Sequence, residues 1–379
     1  GARPIDFVLV DSVDDGRREY DSLAALDEKG GLAARLRPGE WAPLAEGTDG
    51  VALRGRWVKL LRLAGDGGGV SLYVGGVSRT EAWPEDFQRT LDRRCGFWPG
   101  EPDHGLLDGP DPDPRTFLEM AARLSTFLVD AFDVAERRGD WDLLLAYQPL
   151  LDEAGHEFAP PERGTGAAEA GPAVAATREA WRIADRAAAR YLRFLERGGD
   201  VVLVSDHGLR PVRRTVYPAE LMRRQGWIVT DAPAGRPVVR ADSPADCLVS
   251  GGTALVVLNR AGEMPGGVLS PEEAADVRSA RASWFRSRGD ESGAPLFTTV
   301  ALRGEAAALG LGHPNAGDLV LLAAPGTSLR SGFPRAGAEA PILLPPDVAA
   351  QHGYGPDPQL DGLFFHVGPG VEASRVPLV

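Results

Sequence analysis

Cysteine is nearly missing from this chain. Cys95 and Cys247 are the only two among 379 residues, which excludes a disulfide framework and any zinc site built on several thiolates. Free, buried thiols are expected. Lysine is equally scarce, with Lys29 and Lys59 alone, while Arg, Ala, Gly and Pro are abundant; the bias points to a GC-rich bacterial source. No apolar run reaches the roughly 18 residues a membrane helix needs, and the first residues lack a signal-peptide pattern. A soluble protein, cytoplasmic or exported, is expected. The opening Gly1-Ala2-Arg3-Pro4 has no Met and suggests a trimmed parent.

Positive charge is in deficit, with 41 Lys and Arg against 54 Asp and Glu, a net charge of −13. That balance excludes a general nucleic-acid binder and disfavours anionic membranes. It leaves room for an anionic substrate wherever a bound metal reverses the local field. Three motifs are also missing. There is no P-loop and no G-x-G-x-x-G after a strand, so nucleotide as a bound cofactor is not expected. There is no G-x-S-x-G, which weighs against a serine hydrolase of the α/β type.

What is present reads as a mixed α/β protein, one large domain with insertions or two unequal parts. Residues 1–100 are β-rich with hairpins, from strands near Ile5–Val10, Val51–Leu63 and Val70–Val77. The Pro/Gly/Asp-dense stretch from Pro99 to Pro114 is a loop. Phe117, Met120, Leu124, Phe127, Leu128 and Ala131 follow helical spacing. A strand is expected at Leu143–Tyr147, then a helix over 172–197 burying Trp181, Ala184, Ala188, Tyr191, Leu192 and Leu195, then a buried strand Val201–Val204. The rhythm of helix and strand suggests βαβ units and a parallel sheet. Further on come a short helix at Tyr217–Gly226, one or two strands within Cys247–Leu258, a helix opened by Ser270-Pro271, a core strand at Asp318–Ala323 and a last strand at Leu363–Val367. The one low-complexity tract is the Ala/Gly-rich 164–176.

Three short runs carry the chemistry. Asp152 and His156 are one helical turn apart and would face the same way. Asp206-His207-Gly208 follows four apolar residues, where both side chains can converge only if the chain leaves the strand and turns. His352 stands in the Gly/Pro-rich run Gln351-His352-Gly353-Tyr354-Gly355-Pro356. Carboxylate and imidazole donors suit zinc, and ligands bind at the carboxyl edge of open α/β sheets. Taken singly, each run equally fits a surface Asp with a stray His, a buried structural pair, or a solvated loop His.

Taken in order, Tyr147-x-x-x-x-Asp152-x-x-x-His156, then Ser205-Asp206-His207-Gly208, then Gly317-Asp318 before an apolar strand, then Gln351-His352-Gly353-Tyr354, resemble the alkaline phosphatase superfamily, in its type I phosphodiesterase and nucleotide pyrophosphatase branch. The resemblance covers 116–210 and 315–379 best. It implies an alkaline-phosphatase-like three-layer sandwich with a mostly parallel central sheet. Residues 1–115 would be a β-rich insertion, 116–208 with 301–379 the α/β metal-site core, and 209–300 a cap. It further implies a two-zinc hydrolase of phosphate diesters or pyrophosphates working through a phospho-Ser/Thr intermediate, with manganese or iron as possible replacements for zinc. Asp152, His156 and His352 would hold one ion, and Asp206 with His207 half of the other. Tyr354 would be placed to stack on a small phosphate ester or nucleotide-type substrate. The branch's early strand Asp and its Ser/Thr nucleophile have no counterpart here; Asp11 follows a strand but lacks the context. The readings left open are a nucleophile supplied from upstream, a non-catalytic binding or scaffold relative, and, among enzymes, a phosphomonoesterase or sulfatase-like hydrolase.

Overall fold

The computed structural model describes residues 4–108, 113–160, 171–232, 235, 237–313, 315–334, 341–356 and 360–372. Gly1, Ala2 and Arg3, residues 164–170 of the Ala/Gly-rich tract, and Pro314 lie outside the described residues. The chain divides into two compact units: Gly1–Leu151 with Arg178–Arg193, and Asp152–Thr177 with Phe194–Val379. This division runs through the expected 116–208 segment.

The first unit opens with the antiparallel strands β1 (Asp6–Val10), β2 (Ser22–Leu26) and β3 (Leu32–Leu36). A second antiparallel sheet follows, with β4 (Trp41–Asp49), β5 (Ala52–Leu63) and β6 (Val70–Val74) in order and β7 (Ser78–Arg79) paired to β5. Leu23, Ala25 and Leu36 from the first sheet and Ala42, Leu44, Val58 and Leu60 from the second share one apolar core. The β-rich reading of this region holds, but it missed helix α1 (Glu85–Cys95), whose few buried positions, Gln88 and Leu91, give a weak apolar stripe. Helix α2 (Pro114–Glu136) starts where Asp113 accepts from the Thr116 amide at 2.9 Å and Pro114 occupies the first turn. Its buried face carries Phe117, Met120, Leu124 and Phe127, as the spacing predicts. Helix α3 (Leu150–Phe158) and helix α4 (Pro172–Tyr191) each begin in one unit and end in the other. Within the first unit, Ala187 and Tyr191 of α4 pack on Val129 and Phe132, and Arg190 pairs with Asp130 and Asp133.

Two expectations fail here. Leu143–Tyr147 forms no strand, and Leu145 is 82% exposed. An apolar pattern makes a strand only where a neighbour completes the ladder, and no described strand pairs with it. Trp181 is exposed rather than buried; the covered stripe of α4 runs through Ala176, Ala180, Ile183, Ala187 and Tyr191, one step round the helix from the stripe expected.

The second unit is built on a four-stranded antiparallel sheet, ordered β13 (Ala245–Ser250), β14 (Thr253–Leu258), β16 (Leu319–Ala323) and β15 (Phe297–Leu302). Ala254 faces Leu321 across β14 and β16, and Val300 faces Leu321 across β15 and β16. Every residue of β16 is buried. Helix α5 (Pro218–Arg224) and helix α6 (Pro271–Arg286) cover this sheet through Leu221, Met222, Ala282 and Phe285. Ser270 caps α6, accepting from the Glu273 amide while Glu273 returns to the Ser270 amide. Asp318, buried beneath the sheet's edge, accepts from the Leu258 amide at 2.9 Å and pairs with Arg260.

Smaller pairings complete this unit. Among the described strands, β8 (Val201–Val204) pairs with β20 (Phe364–Val367) alone, and β9 (Arg210–Pro211) pairs with β19 (Ala350–Gln351). Strand β10 (Arg214–Val216) lies between β17 (Thr327–Leu329) and β18 (Leu343–Leu344), and β11 (Thr230–Asp231) pairs with β12 (Val238–Val239). A four-residue helix α7 (Arg303–Ala306) follows β15. The expected mostly parallel sheet is therefore corrected: among the described strands, β10 and β17 alone run parallel. The apolar run of β8 reads the same whether its partner is a parallel core strand or the returning β20. Within the expected cap at 209–300, β13, β14 and β15 belong to the sheet that holds β16.

Candidate metal centre

The motif residues meet in the second unit, and local backbone structure explains why. Helix α3 carries Asp152 and His156 one turn apart. Gly155 between them packs under the Leu209 side chain, whose Cδ1 would have to move for a Cβ placed there. Asp206 and His207 occupy the corner after β8. It is pinned from both sides: the Ser205 amide donates to the Leu363 carbonyl at 2.9 Å, the Leu363 amide to Ser205 Oγ at 2.7 Å, and the Gly208 amide to the Leu360 carbonyl at 2.7 Å. Strand β9 begins three residues after His207, and its partner β19 ends one residue before His352. Because Arg210 pairs with Gln351 in antiparallel register, both histidines emerge at the same end of this ladder. Gly353, at φ 77°, turns the chain away, and the Gly252 amide holds the His352 carbonyl at 2.7 Å.

One oxygen of Asp152 and one nitrogen each of His207 and His352 lie within 4.8 Å of one another. His352 Nε2 is 3.9 Å from Asp152 Oδ1, and His156 Nε2 is 3.5 Å from Oδ2 of the same carboxylate. The His207 and His352 rings stack, with centroids 3.7 Å apart and planes at 12°, and His156 approaches His352 at 5.2 Å. Of the expected Asp152, His156 and His352, the first and last share this group with His207, while His156 stands beside it through Asp152 Oδ2. Asp206 is not brought into the cluster; its side chain is 79% exposed and meets only the neighbouring His207 Nε2, at 3.4 Å. Tyr354 is placed in the core, its ring against Gly252, where a Cβ would come within 2.6 Å, and its hydroxyl buried. Asp11 accepts from the amides of Val13 and Glu19 in its own turn, and His313 Nδ1 accepts from the Asn315 amide.

The electrostatics suit a cation. Burial pushes the Asp152 carboxyl upward, yet His156, His352 and His207 together hold it below the usual carboxylate range. Burial pushes His156 down, and Asp152 with the Ala350 carbonyl brings it above the ordinary imidazole value. Burial and the His207 charge leave His352 lowered. Asp152 Oδ1 is buried and has no hydrogen-bond partner among the described residues, an expensive state for a carboxylate oxygen unless a cation or donor completes it. The three donors are close to the spacing that bonds of about 2 Å to one ion require.

Support around the donors was not visible in the sequence. His156 Nδ1 lies 2.9 Å from the Ala350 carbonyl, and His207 Nδ1 lies 3.1 Å from the Gly208 carbonyl. When these nitrogens donate, each ring keeps its Nε2 lone pair for a ligand. The Ala349 amide also donates to the His156 carbonyl at 2.6 Å, tying α3 to the start of β19. Backbone carbonyls carry no residue signature, so no motif could have named them.

A sequence profile described as type I phosphodiesterase / nucleotide pyrophosphatase matches residues 76–354. No curated protein sequence matches the chain. Among solved structures, phosphonoacetate hydrolase from Sinorhizobium meliloti 1021, in complex with phosphonoformate, is 18% identical, with 71% of this chain and 55% of that chain covered and a TM-score of 0.40. Murine ectonucleotide pyrophosphatase / phosphodiesterase 5 is 13% identical over 57% of this chain and 45% of that one, with a TM-score of 0.34. The human protein of the same name is 12% identical over the same shares, with a TM-score of 0.31. The chain spans about half the length of these structures. With about three-quarters of its length under the family profile, the chain belongs to the type I phosphodiesterase / nucleotide pyrophosphatase family.

Proposed function

We propose that this chain carries the metal-binding part of a hydrolase of phosphate diesters or pyrophosphates, built on an alkaline-phosphatase-like scaffold. The observation that carries the reading is the buried, unpartnered Asp152 Oδ1 facing the nitrogens of His207 and His352. One carboxylate among three imidazoles is a donor set for zinc, and it also accommodates manganese or iron. Asp152, His207 and His352 would hold such an ion, which would supply polarisation of phosphoryl oxygens and favour the ionised form of an attacking oxygen.

The chain's own residues do the rest. Asp152 supplies the negative charge that favours a cation. The Ala350 and Gly208 carbonyls orient His156 and His207. Stacking of His207 on His352 holds the two rings parallel beside Asp152. Asp206, exposed beside His207, is available for the second ion that the family resemblance implies, with further donors still needed. The Ser or Thr nucleophile has no counterpart in this sequence, and we infer that polypeptide outside these 379 residues supplies it. What supports that inference is strand β8, whose Val204 is 70% exposed although the strand is wholly apolar.

Turnover of bis(4-nitrophenyl) phosphate by the full gene product tests the reading. His352→Ala is expected to lower it by at least about 100-fold, more than the loss of a supporting contact to a metal ligand, with the melting temperature unchanged. Retained turnover would remove the metal role assigned to His352.

A further inference from the structure

Strands β13 and β14 are joined by a tight turn at Gly251 and Gly252, with Ser250 opposite Thr253. The turn supplies none of the three donors of the metal cluster. The chain that carries His352 is nevertheless seated on it over three consecutive residues. The Gly252 amide donates to the His352 carbonyl at 2.7 Å, and Thr253 Oγ1 donates to the Gly353 carbonyl at 2.6 Å. The Tyr354 ring then lies against Gly252. Behind the turn, the Gly252 carbonyl accepts from the Ala323 amide at 2.8 Å, which ties it to the end of the buried strand β16.

Gly251 is the least replaceable point of this seat. Its φ of 57° lies in the left-handed region that favours glycine. A Cβ there would stand 2.5 Å from the His352 carbonyl oxygen and 3.2 Å from its carbon. Those neighbours are backbone and cannot rotate aside as a side chain would, so either the turn or His352 has to move. The ring itself has little else to place it. Carbonyls orient His156 and His207 through Nδ1. Among the described residues the His352 ring makes no hydrogen bond, and its main chain is what is held, with the amide donating to Gln351 Oε1 at 3.0 Å. An imidazole that must reach an ion at about 2 Å needs that main chain fixed.

We propose that the β13–β14 turn is the positioning element for His352. Gly251, Gly252 and Thr253 fix the main chain at His352 and Gly353, and through it the ring that stacks on His207. The proposal rests on His352 serving as a metal ligand. Its consequence is that a change in the turn weakens metal binding without touching the ion.

Two measurements on the full chain separate positioning from a general loss of stability. One is the zinc dissociation constant, by competition with a chromogenic chelator; the other is the His352 ring-proton resonances in the zinc-free chain. Gly262 is the control, at φ 81° in the same unit with nothing within 4 Å of an added Cβ. Alanine there meets the same backbone strain but no neighbour. Gly251→Ala is expected to weaken zinc by at least about ten-fold, as loss of support around a metal ligand does, and to move the His352 resonances. Gly262→Ala should leave both as they are. Thr253→Val keeps the branched shape without the hydroxyl and should change both in the same direction as Gly251→Ala, while Thr253→Ser should restore them. Unaltered zinc affinity and His352 resonances in Gly251→Ala, or equal losses in Gly262→Ala, would overturn the proposal. If Gly251→Ala does not fold, the Thr253 pair decides, and a silent Thr253→Val overturns it. A parent chain that holds no zinc would remove the metal reading, and the His352 resonances would still decide whether this turn places the ring.

Discussion

At the scale of single residues, the motif histidines and Asp152 were legible because a short spacing forces geometry. Four residues on a helix put Asp152 and His156 on one face, and a Gly after His207 turns that corner. The same reasoning could not divide them between ions, because the β9–β19 register that unites His207 with His352 rests on two residue pairs with no distinctive side chains. Tyr354 is half-buried and packs against the core of the second unit, and Asp318 is buried just before β16, the core strand expected there. Asp290 shows how a charge elsewhere in the second unit is held. Ser292 first, then Arg214 and the amides of Ala294 and Ser292, keep its carboxyl at about 2, below the usual 3.8. A lowered carboxyl contributes stability that is present above its unfolded value and lost as pH falls toward the folded one. Asp290→Asn is therefore expected to lower the melting temperature at neutral pH, by a margin that shrinks between about pH 4 and pH 2. A margin independent of pH would show that the carboxylate's charge is not what matters there.

Among elements, β16 and β8 are instructive because both are short runs of apolar residues. Strand β16 has neighbours on both edges and is buried throughout. Leu321→Ala there should cost about 2–5 kcal/mol in chemical denaturation, as for other buried leucines in tight cores; a cost below about 1 kcal/mol would mean the sheet is not the core of its unit. Among the described strands β8 has one neighbour, and the pair leaves Val202, Val204, Phe364 and Phe365 exposed. Periodicity cannot separate these cases, since it reports apolarity and not the number of partners. Exposed apolar patches of this kind mark a surface that something else covers. Replacing Val204 and Phe365 together with Ser should reduce binding of an apolar fluorescent dye and change stability by no more than about 0.5 kcal/mol per site. Unchanged dye binding would mean that this strand pair is not the chain's exposed apolar face.

For the molecule as a whole, the sequence disclosed the β-rich start, the helix α2 and the capped start of α6, where local chemistry decides. It did not disclose that the larger sheet of the second unit is antiparallel or that it draws strands from both 245–302 and 319–323. Those are long-range pairings, and hydrophobic pattern alone is silent on them. The chain belongs to the type I phosphodiesterase / nucleotide pyrophosphatase family, and the Asp152, His207 and His352 cluster lies in its second unit.

The account depends most on Asp152, His207 and His352 acting as one site, and metal content per chain tests this directly. After zinc reconstitution and desalting, mass spectrometry should find about one retained ion in the unaltered chain and none in Asp152→Ala or His207→Ala, each still folded by circular dichroism. An unaltered chain that retains no zinc, or variants that retain as much as it does, would contradict the assignment.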